Sequence, residues 1–149
     1  MTVPTPERPD ISSFVADDAS LPDGFYFGFL HHADAAARTV DFDLAQAFVG
    51  DAAHSAESED GQDTELDGYV RNATTSMRQL AVSADVIVTR VGCCVYEGAP
   101  GTFADLAASF APDAPIHPSY ADPYRGSEGH YWITVQHGVV VRIDEAYHS

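Results

Sequence analysis

Hydrophobic and polar positions change rhythm several times along the chain, and each change marks an element. The segment "GFYFGFLHH" (24–32) is aromatic on both faces, as a buried strand would be. After the connection "ADAAAR", the stretch "TVDFDL" alternates cleanly, with Val40, Phe42 and Leu44 on one side. Together they predict a β-hairpin from about 24 to 43. Asp43 and Gln46 then have capping-box spacing, and Leu44, Phe48, Ala52 and Ala56 recur every fourth residue. That spacing predicts a helix over about 44–57 with a thin apolar stripe. "YVRN", "MRQLAVS" and the β-branched "DVIVTRVGCCVY" predict three strands.

A second helix is expected to open at Thr102, with Asp105 at the third helical position. Phe103, Leu106, Ala107 and Phe110 would share one face of it. The segment 111–129, "APDAPIHPSYADPYRGSEG", has the composition of a long irregular loop. The closing stretch "HYWITVQHGVVVRIDEAY" reads as a hairpin about a two-residue turn at His137–Gly138. This register would pair Trp132 with Ile143, Thr134 with Val141 and His130 with Glu145. The whole pattern predicts an α+β fold: a small curved antiparallel sheet or partly open β-barrel of about six strands with two short helices. Residues 1–22 are expected to form a flexible N-terminal arm, and residues 23–149 a single domain.

Charge narrows the partners. Twenty-three Asp and Glu stand against seven Arg, with no lysine, for a formal charge of −16 in 149 residues. Nucleic-acid binding requires cations that displace counterions from phosphates, so no nucleic-acid partner is expected. No apolar run approaches the length of a membrane helix, so no membrane insertion is expected either. The first residues lack the basic and apolar regions of a secretory signal, which predicts a soluble cytoplasmic protein, or an extracytoplasmic one if a leader has been removed. The acidity is concentrated in loops such as "ESEDGQDTELDG", a distribution that favours coding bias in a GC-rich genome over adaptation to salt.

Chemical motifs are sparse. The nucleophile elbow, the dinucleotide-binding glycine motif and the phosphate-binding loop are absent, so no cofactor is expected. Cys93 and Cys94 are adjacent and lack C-x-x-C spacing, which fits small hydrophobes at a strand end better than redox or zinc chemistry. His31 and His32, neighbours in a strand, would point to opposite faces. Divalent metal binding would need one of them to meet His130 beside a carboxylate. His130 opposite Glu145 would suit acid/base catalysis in a strand-lined pocket, with His31 or Asp41 near it. Tyr120, Tyr124 and Arg125 in the 111–129 loop are residue types that interfaces favour. Arg71 and Asn72 form a polar pair leaving a strand, suited to a ligand.

The segments "LPDGFYFGFLHHADAAARTVDFDLAQAFVGDAA", "GYVRN", "RQLAVSADVIV" and "YWITVQHGVVVRIDEAY" resemble a group of small, mostly actinobacterial proteins. Many of that group are predicted lipoproteins or secreted proteins without assigned function. The likeness spans most of residues 21–147 and falls on Asp43, Gly50, Tyr69, Arg71, Asn72, Trp132, Gly138 and Tyr147. It implies a shared fold and little about mechanism. The leading functional expectation is a non-enzymatic module that binds a small molecule or a protein through the loop 111–129. The alternatives are a small enzyme built on His130 and Glu145, and a histidine-based site for a divalent metal.

Overall fold

The computed structural model of the protein describes residues 20–61, 68–71, 77–92, 95–110 and 130–146. Seven strands and two helices follow in the order β1 (Gly24–Asp34), β2 (Thr39–Val49), α1 (Gly50–Glu59), β3 (Gly68–Arg71), β4 (Met77–Gly92), β5 (Val95–Gly101), α2 (Phe103–Ala108), β6 (His130–Gln136) and β7 (Val139–Ala146). Five of the strands close into a barrel, running β1–β2–β4–β7–β6 and back to β1. Every seam is antiparallel except β4–β7, which is parallel. β3 pairs with β2 beyond the stretch that β4 uses, and β5 flanks β4.

The alternation seen in the sequence decides which side chains fill the barrel. Leu30, Phe42, Leu44, Tyr131, Ile133 and Ile143 all face its axis and are at most 1% exposed. α2 adds Phe103 and Leu106 to the same core, packing against β1 and β4. The expected cap is present, since the Thr102 side chain accepts a hydrogen bond from the Asp105 amide at 3.1 Å. Gly28 faces inward between Tyr26 and Leu30 where the chains approach closely. A Cβ there would collide with the Asp43 carbonyl oxygen and lie 2.9 Å from the Phe42 ring.

Three expectations need correction. The barrel is closed by five strands, and the described residues hold seven strands. The helix expected over 44–57 begins only at Gly50, because β2 runs on to Val49. Ladder bonds to β1 and then to β3 hold residues 44–49 extended, and this tertiary pairing outweighs the i, i+4 spacing. Gly50, at φ 59°, makes the turn from strand to helix, and the N-cap position falls on Val49 rather than Asp43. The segments "MRQLAVS" and "DVIVTRV" are one 16-residue strand, β4. Among the described residues no helix is long and apolar enough to cross a membrane.

Substituting Gly28→Ala should push β1 from β2 and lower the melting temperature by several degrees, the scale of roughly 1–3 kcal/mol of overpacking. A variant as stable as the parent would show that the barrel wall is looser than this packing requires.

Candidate functional site

Because side chains fill the barrel axis, ligand chemistry has to be sought on the outer surface. One outward row crosses the sheet through Ala45, Phe27, Trp132, Asp144 and Thr89, and its members are at most 6% exposed. Around it lie aromatic rings in edge-on contact. Trp132 meets Phe27 at 5.3 Å between centroids, and His130 meets Phe29 at 4.9 Å. His130 therefore belongs to an aromatic wall on the outside of β1 and β6.

The expected pairing of His130 with Glu145 is corrected by the register. The turn at His137–Gly138 is as expected, with φ of 52° and 77°, values suited to a tight hairpin. A bulge at Val141 then inserts one residue into β7, so His130 lies opposite Ala146, and Glu145 opposite Tyr131. Ile143 and Glu145 share the inward face, whereas His130 and Trp132 face outward. The two residues sit on opposite sides of the barrel wall.

Each carboxylate at the end of β7 has a structural partner. Glu145, 1% exposed, accepts a hydrogen bond from the Val91 amide at 2.8 Å, where the β4–β5 ladder is interrupted between Arg90 and Gly92. Asp144, facing outward, accepts from the Thr89 hydroxyl at 2.6 Å and from Arg142 at 2.7 and 3.0 Å. Both sets of bonds cross or flank the parallel β4–β7 seam.

The outer face of β1, β2 and β4 differs in being open. Between the inward residues Leu30 and Ala33 lie His31 and His32. A bulge at His31 shifts the β1–β2 register there, and both histidines are exposed, contrary to the opposite faces expected of neighbours in a regular strand. Asp41 is the register partner of His32, and Asp43 lies between Phe29 and Met77. The imidazole Nε2 of His31, 45% exposed, is 3.7 Å from Oδ2 of Asp43, 10% exposed, too long for a hydrogen bond but close enough for electrostatic attraction. Met77 is 54% exposed, and Gln79 is exposed beside it. The face ends at the turn after β1, where Asp34 accepts from the amides of Ala36 and Ala37 at 2.9 Å. From that turn the Arg38 guanidinium donates to the Ser83 carbonyl at 3.2 Å.

Arg71 is placed in a clamp. It donates to both carboxylate oxygens of Asp60 at 2.9 Å, reaches Glu59 at 3.2 Å, and lies 5.1 Å over the Phe48 ring. Tyr69 donates to the same Asp60 carboxylate at 2.8 Å, so the clamp fastens the end of α1 to β3. These hydrogen bonds from Arg71 and then Tyr69 hold the Asp60 carboxyl below its ordinary range, and Tyr69 and Arg71 are raised in return. Asn72, Tyr120, Tyr124, Arg125, Cys93, Cys94 and Tyr147 lie outside the described residues. Among the described residues no three His, Cys, Asp or Glu side chains gather to hold a metal ion.

Replacing Glu145 with Ala should cost about 1–3 kcal/mol by stranding the Val91 amide, whereas Glu145→Gln, which keeps an acceptor, should cost less. Thermal unfolding of the two variants compares them, and equal losses would count against the role given to the carboxylate. Acid titration tests the clamp. With the folded Asp60 pKa depressed, its contribution is present above the ordinary aspartate range near pH ~4 and fades as pH falls through the lower folded value. The gap in melting temperature between the parent and Asp60→Asn should therefore be widest above that range and close below it. A gap independent of pH would contradict the clamp.

Comparison with known proteins finds no matching family model, no matching curated protein and no matching solved structure.

Proposed function

We propose that the protein is a non-catalytic binding module that engages its ligand or partner on the outer face of β1, β2 and β4. One observation carries this reading. The barrel axis is solid, yet this outer face leaves His31, His32, Met77 and Gln79 open to solvent. The circuit of barrel strands offers secondary support. Taken as first to fifth in chain order, they join 1–2–3–5–4–1, with the third parallel to the fifth. We read this as the Greek-key order of OB-type barrels, which bind ligands on the face of their second and third strands and the loops beside it. Here those strands are β2 and β4. The likeness bears on the place of binding only, and the class of ligand has to be argued from side chains.

The bulge at His31 also fits such a use. It gives up regular pairing and turns two imidazoles to the same side, next to Asp41 and Asp43. The charge of −16 works against a polyanionic ligand on any face. Tyr120, Tyr124 and Arg125, outside the described residues, remain part of the proposal as a second contact region.

A photoreactive amino acid placed at Gln79 or His32 should give partner adducts in the native cells, while the same group at Ser55 on α1 should give none. Adducts from Ser55 alone would overturn the assignment of the face. Joint substitution of Tyr120, Tyr124 and Arg125 by Ala should reduce the adduct yield at Gln79 without moving the melting temperature. An undiminished yield would remove the loop from the site.

A further inference from the structure

We infer that the open face of β1, β2 and β4 takes a basic polypeptide segment of a partner protein, an inference that rests on the binding face proposed above. Charge complementarity carries it. The described charged side chains of this face include the carboxylates of Asp41 and Asp43, beside the imidazoles of His31 and His32, with Asp34 at its end. Two arginines on or beside these strands have other places. Arg78 alternates inward with Leu80 and Val82, and Arg38 is directed to the Ser83 carbonyl.

The apolar part of the surface suits the same occupant. Met77, 54% exposed, is the register partner of Asp43, so an apolar side chain and a carboxylate stand next to each other. Arginine and lysine have the matching form, a methylene stem that covers apolar surface and a charged head that seeks an acceptor. Beyond the face, the field of a chain with a formal charge of −16 draws a cationic segment in and repels an anionic one. Neutral peptides gain nothing from that field, and nucleic acid is opposed by it.

Selection from a random displayed dodecapeptide library against the full chain tests the inference. Selected sequences should be enriched in Arg and Lys over the starting library. A synthesised selected peptide should bind roughly tenfold more weakly to the double variant Asp41→Asn/Asp43→Asn, and more weakly to the parent in about 0.5 M salt. Asp43 is largely buried, so Asp41→Lys, a charge reversal at a half-buried position, supplies an independent variant and should weaken binding in the same direction. Melting temperatures confirm that both variants are folded. Selected peptides without basic enrichment, or with affinity indifferent to Asp41→Lys and to salt, would overturn the inference. If such peptides still lose binding on His32→Ala or Met77→Glu, the binding face survives and only its ligand class is wrong. If no substitution on the face alters binding, both fail.

Discussion

The parallel seam between β4 and β7 is the constraint on which the rest of the molecule depends. Without it β6 and β7 would hang from β1 as a hairpin, and the apolar residues on their inward faces would lose one wall. Parallel pairing is slightly weaker per residue than antiparallel pairing, and it joins segments far apart in sequence. Side chains reinforce this one. Asp144 on β7 holds Thr89 on β4, both nearly removed from water, and is itself held by the part-buried Arg142. One residue further, Glu145 holds the Val91 amide. A buried carboxylate is costly unless its oxygens are satisfied, and these bonds hold only when β7 sits in register beside β4. Asp144 and Glu145 thus fasten β7 to β4 at the closure of the barrel.

Closure in turn decides where function can reside. The axis of the five-stranded barrel is occupied by Tyr131, Phe42, Leu30 and Ile143. The α1–β3 unit is committed to its own clamp through Arg71 and Asp60. The outward row through Phe27 and Trp132 is buried. Among the described residues the face of β1, β2 and β4 is open, and there the bulge at His31 interrupts an otherwise regular hairpin. Rigid strands there carry exposed His31, His32, Met77 and Gln79 beside the half-buried Asp41.

Elements governed by local rules were legible in the sequence. The turn at His137–Gly138, the Thr102 cap and the first hairpin follow from backbone preferences and alternation over a few residues. Elements governed by tertiary pairing were not. Residues 44–49 satisfy helical and strand spacing alike, and only β1 and β3 alongside them choose the strand. β4 is longer than its sequence suggests because it advances five residues, Val82 to Ile87, while β7 advances two, and polar Ser83 and Asp85 fall in that excursion. The single extra residues at His31 and Val141 carry no composition signal, yet each reverses which side chains share a face. For this reason His130 and Glu145 do not meet, while His31 and His32 share a face with Asp41.

Mapping backbone amide shifts of the isotope-labelled protein during titration with a selected peptide tests the central claim directly. The account predicts perturbations gathered on residues 31–34, 39–43 and 77–81, with the amides of Ile133 and Ile143 unmoved. Perturbations centred on β6 and β7, with the β1–β2–β4 face silent, would contradict it.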